Sequence, residues 1–209
     1  MTRRHTTLTR LLPLAGLTLA ASIACKPWTV RPIDEGRQAN APTPDRFDAT
    51  AYVESIWETR VIEQARNSAA ELLPGRPPGQ LPAGPSIFVR GDGTVLRVDT
   101  RSRVGLALVD LAPGDGEADV AIQIGPVLRG TALRDALPFV RFGDFANQLA
   151  FADVANALNA RVLRSVLGGL EPASLDGRRL AFTGATKVAA GADAQLLEIV
   201  PVILQPGTK

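Results

Sequence analysis

Arg129, Thr131, Arg134 and Asp135 crowd into seven residues, and Asp144, Asn147, Gln148, Asn156 and Asn159 follow close behind. Guanidinium, hydroxyl, carboxylate and amide groups in this density suit hydrogen bonding to sugar hydroxyls or to a protein loop. These nine residues are therefore the candidate ligand or partner contacts. The same groups also have a structural use. Thr131 and Asp144 stand where helices would begin and can cap them, and Arg134 can pair with Asp135 or Asp144. The structural use carries more weight.

A second set of oxygens, Asp115, Glu117 and Asp119 with Asp110, alternates in a way that a hard cation such as Ca²⁺ could accept. The spacing lacks the full calcium loop, so these are weak metal candidates, and a solvated hairpin explains them better. No metal and no cofactor is assigned. A catalytic alternative needs only carboxylates. In a glycoside hydrolase one acid stays protonated beside an ionised partner about 5 to 9 Å away. Asp99, Asp110, Asp135 and Asp144 are the residues that could supply such a pair. Arg90-Gly91-Asp92 spells an integrin-type tripeptide, but three residues match by chance and the glycine reads as turn chemistry.

What is scarce limits the chemistry further. The 209 residues contain one His (His5), one Cys (Cys25), one Met (Met1) and one Tyr (Tyr52). Residues 1–24 read as a lipoprotein signal peptide, with Arg3, Arg4 and Arg10 in a basic head and a Leu/Ala-rich run before Cys25. Thr6 and Thr7 replace the apolar residues that a twin-arginine signal prefers, so general secretion fits better. Cys25 is the expected lipidation site, although Ser22 stands where a large aliphatic is usual. Acyl chains there would anchor the chain, each buried CH₂ contributing about 0.8 kcal/mol.

Once residues 1–24 are gone there is no histidine, which excludes Ser-His-Asp catalysis, His proton shuttles and His-ligated metals. An acylated Cys25 leaves no thiol for disulfide or redox chemistry. The net charge changes as well. The whole chain has 23 basic and 21 acidic residues and a net +2, whereas loss of Arg3, Arg4 and Arg10 leaves 20 against 21, a net −1. A near-neutral protein lacks the basic footprint that nucleic acid requires.

The elements that must position these side chains are legible from periodicity. Residues 25–45, broken by Pro27, Pro32, Pro42 and Pro44, suit a tether. Trp28 within it could dip into a lipid interface. Residues 46–209 form a single α+β unit. An amphipathic N-terminal helix occupies 46–73, with Tyr52, Val53, Ile56, Trp57, Val61, Ala65, Ala69 and Leu72 on one stripe. A Pro/Gly-rich loop over 74–85 follows. Strands are expected at Ile87–Val89, Val95–Asp99, Val104–Leu111 and Val120–Ile124, with Gly91-Asp92-Gly93 turning the first hairpin. Helices are expected over 131–137 and 144–167, stopped by Gly168-Gly169. Two closing strands, Arg179–Val188 and Gln195–Leu204, place Pro201 best at an edge. Residues 86–130 and 178–205 then make a small OB-like antiparallel β-barrel, and 131–170 a helical subdomain inserted into it. Between Ile87 and Ile124 only Phe88 is aromatic, too little for a base- or sugar-stacking barrel face.

Several segments together carry a family likeness: Cys25-Lys26, Phe47-Asp48 with Tyr52 to Trp57, Phe88 to Gly91, and above all the unbroken run from Ile122 to Asp135. Asp144-Phe145, Asn147-Gln148, Phe151-Ala152, Val154-Ala155 and Leu158-Asn159 continue it. The chain resembles the DUF2291 family of predicted periplasmic lipoproteins over nearly its whole length after the signal. That resemblance implies an OB-like barrel with a helical subdomain, a lipid-anchored place in the cell envelope, and genes beside ribose-type sugar ABC transporters. It brings no catalytic residues. The expected function is a non-catalytic accessory or binding protein, with a transporter component or a small sugar as partner. The alternative is the carboxylate-dependent carbohydrate-active enzyme.

Overall fold

The computed structural model describes residues 47–75, 81, 86–188 and 196–207. The signal, Cys25, Trp28 and the tether lie outside the described residues, as does most of the Pro/Gly loop. Residues 45–209 form one compact unit.

The chain enters a helical run in three parts: α1 (Ala49–Ile56), a π-helical turn (Trp57–Val61) and α2 (Ile62–Ser68). Asp48 caps α1, its Oδ1 accepting the N–H groups of Thr50 and Ala51 at 2.9 Å each. The buried positions Val53, Trp57, Val61 and Ala65 recur every four residues. At 3.6 residues per turn such a row drifts around an α-helix, and one wider turn brings it back onto the core. The run ends earlier than expected, because Ala70–Glu71 forms a two-residue strand, β1, parallel to β2.

Five longer strands close into a barrel: β2 (Ile87–Asp99), β3 (Leu106–Leu111), β4 (Val120–Gln123), β5 (Arg179–Thr186) and β6 (Leu197–Pro206). The order is β2-β3-β4-β6-β5, and β5 pairs back onto β2. Four of these pairings are antiparallel, while β4 and β6 run parallel. Ile122 and Val120 face inward opposite Ala107 and Val109 on one side and Ile199 and Leu197 on the other. All six are buried.

Gly91-Asp92-Gly93 is not the expected hairpin turn but the middle of β2, a continuous strand of 13 residues. Its first half, through Thr94, pairs with β5, and its second half, from Gly93, pairs with β3. A strand shared by two neighbours must curl, and glycine permits the close approach this needs. A Cβ on Gly93 would lie 2.1 Å from the carbonyl oxygen of Asp110. Gly91 sits opposite Phe182, whose ring fills the space left by the absent side chain. Pro201 lies at a register irregularity in β6, past the last pair with β4, so only β5 flanks it there.

Between β4 and β5 come α3 (Ala132–Asp135), a 3-10 turn (Phe142–Asp144), α4 (Gln148–Ser165) and a second 3-10 turn (Pro172–Leu175). Asn147 caps α4 by accepting the N–H of Ala150 at 2.9 Å. Val154, Leu158 and Val162 bury one stripe of the helix, which packs against α1. Gly168 follows because a Cβ there would strike the Arg164 carbonyl oxygen at 2.2 Å, and Gly169 takes φ +81°.

Candidate functional site

The outer face of the barrel carries a polar cluster around the end of β4. Inward residues on β4 alternate with outward ones, so Ala121 and Gln123 point away from the interior, and Glu198 on β6 lies beside Ala121. Gln123 is buried all the same, because the segment leaving β4 folds back over it. Its Oε1 accepts the Arg129 N–H at 2.9 Å, and its Nε2 donates to Glu198 Oε2 at 3.3 Å. The Arg129 guanidinium then donates to both oxygens of Glu198, with Nε at 3.1 Å from Oε2. This bond to Glu198 raises the Arg129 pKa above its ordinary value. The arrangement fixes a cation in place while leaving 60% of its side chain in solvent.

The neighbouring candidates serve the fold. Thr131 donates its hydroxyl to Asp135 Oδ2 at 2.6 Å, and Arg134 pairs with Asp135 Oδ1 at 2.6 Å. Arg134 also donates to the Phe151 carbonyl at 3.1 Å and lies 3.7 Å above that ring's centroid. Asn159 is buried on α4 and donates to the Gly130 carbonyl at 3.1 Å, which ties the helix to the crossover. Asn147 is a helix cap, and the Asp144 carboxylate accepts the Arg141 N–H at 3.3 Å. Asn156 and Gln148 are exposed. Asn156 lines an open groove of about 540 Å³ with Phe47, Asp48, Thr50, Asp153 and Ala160. The nine residues thus divide: Arg129, Gln148 and Asn156 present groups to solvent, and the others are held mainly by internal bonds.

Two side chains of the cluster, Gln123 and Glu198, escape a reading of the sequence. They lie 75 residues apart and meet only across the parallel β4–β6 pair. The signal that could have found them is the interruption itself. Each is a lone polar residue inside an apolar strand, Val-Ala-Ile-Gln-Ile and Leu-Leu-Glu-Ile-Val.

The acidic loop between β3 and β4 is organised by its own backbone. Asp110, buried at the end of β3, accepts the N–H groups of Asp115 at 3.2 Å and Gly116 at 2.8 Å. Asp115 accepts from Glu117 N–H at 2.9 Å, and Asp119 from Leu111 N–H at 2.8 Å. Their oxygens close a turn, and no cluster able to hold a metal ion occurs among the described residues. The four carboxylates of the enzymatic alternative are engaged separately. Asp99 binds Arg101, which holds its carboxyl well below the usual carboxylate range. Asp110, Asp135 and Asp144 keep the partners named above, and none of the four bonds to another.

The helical layer presents a chain of rings. Phe47 meets Tyr52 and Phe145, with centroids 5.7 and 5.3 Å apart. Phe145 meets Phe151, and Phe151 meets Phe142, each at 5.6 Å. Burial among these rings raises the Tyr52 pKa above 10, with Asp144 adding to the shift and Arg60 opposing it.

A five-stranded closed barrel with helices inserted between β4 and β5 is the OB fold. The chain is similar to the crystal structure of an OB-fold protein from Thermotoga maritima, with a TM-score of 0.51 over 77% of this chain and 99% of that one. The 14% identity makes this a likeness of fold alone. The family model DUF2291, described as a predicted periplasmic lipoprotein, matches residues 15–73 and 80–205. The chain belongs to this family, which places it at the cell envelope on a lipid anchor. No curated protein matches it in sequence.

Proposed function

We propose that the protein is a non-catalytic accessory or binding protein of the cell envelope, anchored through Cys25, that contacts a component of a sugar ABC transporter. The observation that carries this reading is the Gln123–Arg129–Glu198 cluster. A buried amide and a carboxylate hold a guanidinium rigidly in solvent, which suits hydrogen bonding to a partner's carboxylate, carbonyl or hydroxyl groups. The separate engagement of Asp99, Asp110, Asp135 and Asp144 supports contact rather than turnover. The choice of a sugar importer comes from what membership of the family implies about gene neighbours.

The test is crosslinking and affinity purification of the full-length chain from native membranes, beside calorimetry with pentoses and hexoses. A transporter component should be recovered, and Arg129→Ala should lower its yield about tenfold, as loss of one charged hydrogen bond would. Absence of any transporter component together with flat calorimetry would overturn the reading.

A further inference from the structure

Six large hydrophobic residues are exposed among the described residues, and three of them, Phe47, Phe142 and Leu149, lie in or beside the helical segments. Phe142 is 56% exposed, Leu149 66% and Phe47 37%. Phe142 connects to Phe47 through the stacked rings of Phe151 and Phe145. Leu149 begins the strip of α4 that continues four and seven residues later with Asp153 and Asn156, and these line the groove beside Phe47. Exposed rings joined through a stack, with an exposed Leu on the adjoining helix, mark a surface that meets something other than water.

The route of the chain says what that is. Phe47 is the first described residue, and 21 residues separate it from Cys25. A chain segment of that length cannot reach further than about 75 Å. The family places the protein on a lipid anchor, so the bilayer surface is the partner held at the highest effective concentration in front of Phe47. Aromatic rings are favoured at the boundary between headgroups and acyl chains. The charges beside the rings are balanced, Arg60 and Arg141 against Asp48 and Asp144, all four exposed. A lipid headgroup layer of either net charge can accept such a rim.

We infer that Phe47, Phe142 and Leu149 form a docking surface that seats the folded unit on the lipid bilayer, with the helical layer down and the β3–β4 loop, at the far end of β4 from the helices, in water. The inference rests on the lipid-anchored reading. Seating fixes the orientation of the domain, which an anchor on a tether does not.

Cys25 is the chain's only cysteine, and acylation blocks it, so each introduced thiol can be labelled alone. Phe142→Cys, Leu149→Cys and, as control, Glu117→Cys in the β3–β4 loop are made in the full-length lipidated protein. Each is nitroxide-labelled and reconstituted in phosphatidylethanolamine/phosphatidylglycerol vesicles. Accessibility to oxygen and to a water-soluble nickel complex reports depth. Labels at 142 and 149 should show an oxygen-to-nickel ratio several-fold above that at 117, little changed by raised salt. Leu149→Cys leaves the ring stack untouched and reports even where Phe142→Cys loosens it. Water-like ratios at both sites, in protein that floats with the vesicles, would overturn docking and leave anchoring standing. Immobilised labels in detergent without lipid, strengthening with concentration, would show a second copy on this surface and overturn docking too. Protein that does not float with vesicles would overturn the anchored reading, and the docking with it.

Discussion

The barrel and the helical layer treat their surfaces in opposite ways. On the barrel, the polar groups are turned onto one another. Asp110 is spent on the loop that follows it, Gln123 on the crossover, and Glu198 on Arg129. The helical layer keeps its polar groups as caps and struts, Asp48, Asn147, Asp135 and Arg134, and leaves rings at the surface. The lesson is that the two parts answer different demands. A barrel must close, and each unsatisfied polar group works against closure. A layer of helices closes through one apolar stripe per helix and is free to expose another.

The contrast can be broken at its tightest point first. Gly93→Ala should destabilise the protein by about 3 kcal/mol or prevent folding, because its Cβ meets backbone that cannot give way. Urea unfolding followed by circular dichroism measures it, and a wild-type midpoint would show that β2 can relax its curl. Asp110→Ala comes next, at about 2 kcal/mol, since it removes a buried acceptor from two N–H groups at once. Its loop should also lose protection in hydrogen exchange at Asp115 and Gly116. Unchanged exchange there would mean that water replaces the carboxylate.

The mildest test concerns the helical side. Tyr52 is the chain's only tyrosine, so absorbance near 295 nm follows it alone. Its midpoint should lie above 10 in the native protein and near 10 once denatured. The sign follows from linkage. The folded state favours the neutral phenol, so this contribution is fully present below pH 10 and is lost as pH rises through the native midpoint. Coincident midpoints would mean that the ring stack around Tyr52 is open to water.

Much of the fold can be read in the sequence because the apolar periods are clean. The strand expected over 120–124 sits on β4 and the helix expected over 144–167 on α4, which starts at Gln148 and stops at Ser165, short of Gly168-Gly169. The misreadings share one physical root. Gly91-Asp92-Gly93 has turn chemistry, but the conformational freedom that makes a hairpin also lets a strand curl, and only closure of the barrel selects the second. The π-helical turn at Trp57–Val61 is hidden for a similar reason, since a four-residue apolar repeat reads as an ordinary amphipathic helix until its drift must be corrected. At the candidate site, residue types point to hydrogen bonding but not to its direction. Nothing local in Asn159 says that it faces Gly130, or in Arg134 that it lies over Phe151.

Closure has a consequence for life at a surface. Proteins confined to two dimensions meet one another far more often than in free solution, and an open sheet margin under such crowding invites polymerisation by strand addition. Here β2 bonds to β3 and β5, and β6 joins β5 to β4, while the extra strand β1 is only two residues long. Beyond Ile199 β6 is flanked by β5 alone, but Pro201 and Pro206 remove backbone donors from that stretch, so strand addition is discouraged and the molecule can be packed densely on a membrane with little tendency to zipper into fibres.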